Sequence, residues 1–207
     1  MKVLLFNGSP HKDGCTFTAL SEVESVLHAQ GVETELVQMG TEPVAGCLGC
    51  HACRETGRCF MDDDVNTFAG KLAAADGLVV GSPVYYASAN GSVTAFLDRL
   101  FFSGGKGFAY KPAAALVSCR RAGSTAALDQ LNKYFTISRM PVVPSQYWNM
   151  VHGNTPEEVR QDLEGMQIMR TLGRNMAWML KCIAAGEAAG VPKPEMEPRL
   201  RLTNFIR

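Results

Sequence analysis

The sequence predicts an α/β fold: a five-stranded parallel sheet with helices on both faces, followed by a C-terminal helical arm. Three observations carry that expectation. Short apolar runs alternate with stretches of helical periodicity from residue 2 to residue 143. The helical stretches are long enough to return each strand to the same edge as a right-handed crossover. The segments that leave the apolar runs are rich in Gly, Ser and Pro, which form tight turns where open α/β sheets hold their ligands.

Each element has a local reason. Lys2 to Phe6 is a short apolar run, as expected of a strand buried on both faces. Asn7 to Gly14 is a turn, and a helix is predicted from Thr16 to Gln30, stopped by Gly31. Val32 to Gln38 alternates as a second strand. Asp62-Asp63-Asp64 opens the next helix, where acidic side chains complement the positive end of the helix dipole, and that helix ends near Ala75. Gly77 to Gly81 is a continuous apolar strand, Ala89 to Phe102 a helix, Ala113 to Ser118 a fourth strand and Ser124 to Ile137 a fourth helix. Met140 to Val143 is the weaker fifth strand, with prolines at its edges. Thr155-Pro156-Glu157-Glu158 combines an N-cap threonine, proline at the first helical position and glutamate three residues after the cap. The helix it starts is expected to reach about Gly186, with Val191 to Pro198 extended beyond it and the tail ending at Thr203-Asn204-Phe205-Ile206-Arg207. Residues 1–150 read as a ligand-binding domain and residues 151–207 as a helix and tail suited to oligomerisation.

Composition excludes several classes. The 207 residues carry 20 basic and 20 acidic side chains, so no electrostatic footprint marks a nucleic-acid or anionic-membrane partner. No run of apolar residues is long enough to span a bilayer. The Met1–Phe6 run lacks the length and cleavage site of a signal peptide. Seven cysteines, four of them clustered, suit metal or redox chemistry in a reducing cytoplasm better than a disulfide framework.

Two loops carry the first functional signal. Asn7-Gly8-Ser9-Pro10-His11-Lys12-Asp13-Gly14-Cys15-Thr16 leaves the first strand and enters the first helix, where backbone N–H groups and hydroxyls attract an anion. It is neither a Walker loop nor a G-x-G-x-x-G turn, and by itself an ordinary βα turn explains it as well. Together with Gly81-Ser82-Pro83-Val84-Tyr85 and Leu97-Asp98-Arg99, however, it resembles the flavodoxin-like NAD(P)H-dependent FMN reductases. The resemblance implies a flavodoxin-like fold with FMN as cofactor and NAD(P)H as co-substrate. It assigns Ser9, His11, Gly14, Cys15 and Thr16 to the FMN phosphate. Ser82, Pro83, Val84, Tyr85, Tyr86 and Ser88 fall to the ring and ribityl region, and Ser118 to Ser124, with Gly123, to the other side of the ring. His11 stands where the family often has arginine, and Cys15 where asparagine or serine is common, which implies either a lower FMN affinity or a heavier reliance on backbone amides. Tyr85 and Tyr86 suit a ring-covering role, with simple packing as the alternative. No catalytic acid or base is assigned, because hydride transfer to a flavin requires none.

Cys47, Cys50, Cys53 and Cys59 are spaced C-x2-C-x2-C-x5-C between the second strand and the acidic helix start. Four thiols so placed can wrap a [4Fe–4S] cluster. The motif resembles the compact cluster motif of the iron–sulfur flavoproteins, which implies a second redox centre. The alternatives are a thiol loop without a cluster, a Cys50–Cys53 disulfide, and zinc, although structural zinc sites usually present two separated cysteine pairs. Cys182 is expected in the core. Leu163, Met166, Met169, Leu172, Met176, Met179 and Ile183 recur at helical spacing. Core packing explains that stripe, and a long helix after a nearly complete sheet also suits a homodimer or tetramer, with Trp148 placed to cover a neighbouring subunit's flavin.

The sequence therefore points to an FMN-dependent oxidoreductase passing electrons from NAD(P)H to a small acceptor such as a quinone, nitro compound or flavin. One alternative is an iron–sulfur flavoprotein electron carrier fed by a ferredoxin-type donor. Another is a non-enzymatic zinc or thiol redox sensor.

Overall fold

The computed structural model describes residues 1–195 and 197. Apolar runs and helical stretches fold where the periodicity places them. The strands are β1 (Lys2–Asn7), β2 (Glu33–Gln38), β3 (Gly77–Tyr85), β4 (Ser88–Ala89), β5 (Ala113–Cys119) and β6 (Met150–His152). The helices are α1 (Cys15–Ala29), α2 (Cys53–Thr56), α3 (Asp64–Ala74), α4 (Gly91–Gly104), α5 (Ser124–Ile137), α6 (Pro156–Gln161) and α7 (Leu163–Ala188). Five strands pair in parallel in the order β2-β1-β3-β5-β6, and β4 turns back antiparallel on β3. The order reverses direction between β1 and β3, so their outgoing loops part and leave a crevice at the carboxyl ends. The register brings Asn7 beside Gly81, Pro83 beside Ser118 and Cys119 beside His152, which aligns four outgoing loops at one edge.

Both faces of the sheet are covered. On one, Phe6, Leu78, Val80 and Val117 pack with Phe68 of α3, Phe96 and Leu97 of α4, and Leu131 and Phe135 of α5. On the other, Val3, Leu5, Val79 and Leu116 pack with Leu20 and Val23 of α1 and Met169, Leu172 and Met176 of α7. Met166, Met169, Leu172 and Met176 of the stripe that could also have served a partner chain thus lie inside this one, while Leu163 at its start is exposed. A Cβ on Gly173 would come within 2.9 Å of Val26, which shows how closely α7 lies on α1. Crossovers put only α1 and the short α6, through Val159, on this face before α7 arrives, so α7 completes the second layer.

Three expectations are corrected. The fifth parallel strand is Met150–His152, not Met140–Val143: Pro141 and Pro144 cannot donate to a ladder, and the earlier segment keeps one bridge, Val142 to Ala113. The helix expected from residue 156 to about 186 breaks at Asp162, whose side chain accepts the Gly165 N–H at 2.9 Å and the His152 N–H at 2.7 Å. A competing N-cap in mid-sequence ends one helix and starts the next. Cys182 is exposed on α7, not buried. Residues 191–195 have no regular secondary structure, while Pro198 and the Thr203–Arg207 tail lie outside the described residues.

Candidate functional site

The first loop is braced from below. Gly8 N–H donates to the Gly81 carbonyl at 2.9 Å, and a Cβ on Gly8 would stand 2.3 Å from Val93, so only glycine lets the loop cross here. Asn7 Nδ2 donates to Gln38 Oε1 at 2.6 Å, and Gln38 Nε2 to the Ser9 carbonyl at 2.6 Å. The Ser9 N–H donates to Asn7 Oδ1 and the His11 N–H to Ser9 Oγ. Asn7 and Gln38 were not singled out by the sequence, because their pairing spans two strands.

This brace presents the N-terminus of α1 to the carboxyl edge. Its N-cap is Gly14, which supplies no side-chain cap, so the N–H groups of its first turn keep their donors for an outside acceptor. Ser9 and Thr16 are buried beside it, and Thr16 Oγ1 lies 2.8 Å from Ser118 Oγ, joining the first and third outgoing loops. His11 is exposed. The Cys15 thiol turns to the Gly153 carbonyl at 3.6 Å, and burial, then the nearby Glu158 and Glu157, push it above its ordinary value. Cys15 therefore offers the site its backbone N–H and a neutral thiol. An uncapped helix end with adjacent hydroxyls fits a phosphate.

The second loop is a hairpin. Tyr85 pairs with Ser88 across Tyr86 and Ala87, whose φ values are +51° and +57°. Two consecutive non-glycine residues in the left-handed region store strain at this turn. Gln130 of α5 holds it: its Oε1 accepts from Ser88 Oγ at 2.7 Å and from the Ala89 N–H at 3.0 Å. Gly123 packs beneath, with φ +87°, where a Cβ would be 2.7 Å from Ala87 Cα. Ser82 is fully buried, its hydroxyl donating to the Pro83 carbonyl and accepting the Asn90 N–H, so it shapes the loop from inside. Pro83, Val84 and Ser88 are half-buried, and Tyr85 and Tyr86 are exposed at the rim. Gly123 is also the N-cap of α5, again without a side-chain cap, so a second set of amides faces the edge. The pairing of an aromatic rim with a phosphate seat suits a flat, phosphorylated cofactor such as FMN.

The four clustered cysteines form a separate site at the far end of α4. All four line one pocket, with Leu48, Phe60, Arg99 and Phe102. Gly49 and His51 have φ of +64° and +63°, which turns the chain on both sides of Cys50. α2 starts at Cys53 and closes at Gly57, in the left-handed conformation. Asn66 of α3 clamps Cys59, accepting its N–H at 3.0 Å and donating to its carbonyl at 2.9 Å. Burial pushes the Cys53 thiol up, a backbone hydrogen bond draws it partly back, and charge on Cys50, Cys47 and Cys59 pushes it further up. Such thiols are stabilised as thiolates by an added cation or cluster.

Among the described residues, no three His, Cys, Asp or Glu side chains are gathered as one metal ion would require. A cubane sets its four thiolates on four irons, so its ligands stand wider apart than the four around one zinc. Four cysteine side chains lining one pocket are the donor set that a [4Fe–4S] cluster takes.

Arg99 of α4 also lines this pocket, one percent exposed. The sequence held a signal for it: a charge three residues after Phe96, on the side of the helix that also buries Leu97 and Leu100. Its guanidinium forks onto Asp63 at 2.6 and 2.7 Å, and its Nε donates to Cys59 Sγ at 3.4 Å.

The family model for NADPH-dependent FMN reductase matches residues 1–155. An iron–sulfur flavoprotein of Methanocaldococcus jannaschii is 29% identical over 198 residues, covering 88% of this chain and 99% of the relative. An iron–sulfur flavoprotein of Methanosarcina thermophila is 29% identical over 188 residues, covering 88% and 97%. Among solved structures, RosB bound to 8-demethyl-8-formylriboflavin-5'-phosphate superposes with a TM-score of 0.69 at 15% identity, covering 100% of this chain and 94% of that one. No helix among the described residues is long and apolar enough to cross a membrane.

Proposed function

The chain belongs to the NADPH-dependent FMN reductase family, and from that premise we propose that it is a two-centre electron carrier, holding FMN at the carboxyl edge and a [4Fe–4S] cluster in the cysteine pocket. The observation that carries this reading is the convergence of Cys47, Cys50, Cys53 and Cys59 on one pocket in a chain that also presents a phosphate seat and an aromatic rim. The likeness, over 88% of this chain, to proteins named iron–sulfur flavoproteins supports it. Neither point favours a zinc or thiol sensor without flavin.

FMN, when bound, supplies one- and two-electron chemistry, and the cluster supplies one-electron chemistry. The chain's own residues do the rest. The α1 amides, with Ser9 and Thr16, bind the phosphate end. The α5 amides next to Gly123 stabilise negative charge on the reduced ring. Tyr85 and Tyr86 would border one ring face, and the four thiolates, with Cys59 held by Asn66 and Arg99, would hold the iron.

A second reading, hydride uptake from NADPH or NADH and delivery to a quinone, nitro compound or flavin, is favoured by the exposure of Tyr85 and Tyr86, which leaves an aromatic edge for a nicotinamide to stack on. The carrier reading pairs with a ferredoxin-type protein donor instead. Self-association as a homodimer or tetramer belongs to the proposal too, through the exposed Trp148, Leu163 and Trp178; light scattering of Trp178→Glu should show a smaller particle, and an unchanged mass would remove that surface from it.

Single Cys→Ala substitutions at positions 47, 50, 53 and 59 test the division of labour. Each should lose iron and sulfide while FMN stays near one per chain. Iron that survives the removal of any two of the four would refute the cluster assignment. NAD(P)H oxidation by the purified protein without a protein donor would favour the second reading.

A further inference from the structure

Among the described residues, Arg99 is the only charged residue in the fully buried class. Burying a guanidinium is costly unless it is paired and hydrogen-bonded. Asp63 provides the pairing, and the same carboxylate caps α3 by accepting the Val65 N–H at 3.2 Å. If pairing with Asp63 were the whole role, the remaining donor would have no need of a thiol. Instead Nε points at Cys59 Sγ at 3.4 Å, and Nη1 reaches the Ala45 carbonyl at 3.4 Å. Ala45 lies two residues before Cys47, so one guanidinium grips the cysteine loop at its entry and at its last ligand. Arg54 and Arg58, the other arginines of the loop, are exposed and lie in solvent, and Arg58 pairs with Asp62. Arg99 is thus the cation held out of water beside the thiols.

We propose that Arg99 is a positioning residue for the iron–sulfur centre: its buried charge and its N–H bond to the Cys59 thiolate raise the cluster's reduction potential, while its grip on Ala45 and Cys59 fixes the loop that receives the iron. This rests on the cluster reading above. Hydrogen bonds to cluster sulfurs and local net charge are the levers that set such potentials. Reduction adds negative charge to the cluster, and a cation in a water-poor wall stabilises the reduced form more than the oxidised one. Asp63 works in the opposite direction, since its carboxylate offsets most of the guanidinium charge.

The two residues therefore give opposite signs. Arg99→Met removes the cation and the N–H donor but keeps length and apolar volume. Asp63→Asn removes the anion and keeps an N-cap side chain. The test uses the full chain, purified without oxygen. Iron, sulfide and FMN are counted per chain, and the cluster is titrated with dithionite, followed by its visible absorbance and low-temperature electron paramagnetic resonance. Arg99→Met should move the cluster midpoint to more negative potential, by a tenfold or greater change in the reduction equilibrium, about 59 mV for a one-electron couple. Asp63→Asn should move it to more positive potential. The FMN midpoint should stay in place in both.

A residue that only braced the loop would lower iron content without this opposed pair of shifts. Loaded variants with unmoved midpoints, or midpoints displaced in the same direction, overturn the proposal while leaving the cluster reading intact. If Arg99→Met yields no loaded protein, Asp63→Asn decides alone, and an unmoved or more negative midpoint there overturns it. A wild-type chain that holds FMN but no iron overturns both readings together.

Discussion

At the scale of single residues, the site is made by side chains that shape backbone more than by side chains aimed at a ligand. Ser82 is turned inward, Cys15 faces the Gly153 carbonyl, and Asn7, Gln38 and Gln130 hold loops in place. The motif residues Gly8, Ser9, Gly14 and Thr16 were legible because turn chemistry is local. Gln38 and Gln130 were not, because their partners lie 29 to 42 positions away in sequence. Gly123 tests the point. Its φ of +87° and a 2.7 Å approach of any Cβ to Ala87 leave Gly123→Ala no relaxed conformation. Strain of at least about 1 kcal/mol is expected there. Passed to the ring loop, it should weaken FMN binding by roughly fivefold or more. Fluorescence titration of the flavin-free protein reads this directly, and an unchanged affinity would take the β3–β4 hairpin out of the flavin site.

At the scale of elements, helix ends settle what the apolar pattern leaves open. α5 falls on the expected residues, Ser124–Ile137, since the Gly before it and the loss of periodicity after it are both local marks. α3 begins with an Asp N-cap, as the acidic run implied. The break between α6 and α7 escaped because Asp162 sits inside a continuous helical pattern, and only the fold brings the His152 N–H to its carboxylate. β4 escaped because Tyr86 and Ala87 are not turn residues by type, and they take positive φ only under tertiary constraint. Asp162→Ala should therefore destabilise the protein by about 0.5–2 kcal/mol for the lost cap, and further for the stranded His152 N–H. Asp162→Asn should recover most of the cap. Thermal melts of the two variants compare them, and equal melting points would show that the cap contributes nothing.

At the scale of the whole molecule, α7 is where sequence and structure differ in meaning. Its stripe is legible as apolar, but a stripe does not name its partner. The sheet does: with α3, α4 and α5 on one face and α1 on the other, Met169, Leu172 and Met176 fill the remaining space beside α1. Met176 is fully buried, and its sulfur lies 3.5 Å from the position a Cβ on Gly77 would take. Met176→Ala should cost about 2–5 kcal/mol and lower the melting temperature by about 4–20 °C, independently of protein concentration. A loss that grew with dilution would instead place the stripe at a subunit contact. α4 accounts for the separation of the two candidate sites: Asn90 caps its start beside the ring loop, and Phe102 and Ser103 in its last turn line the cysteine pocket.

The most direct test of the central claim, one chain with a flavin site and a four-thiol cluster site, is the composition of protein purified without oxygen. Visible spectra before and after acid release, with FMN, iron and sulfide counted per chain, give it in one preparation. The account predicts one FMN and about four irons per chain, with a broad absorbance under the flavin bands that dithionite bleaches. Stoichiometric FMN without iron or sulfide would contradict it and leave a flavin reductase with a thiol loop.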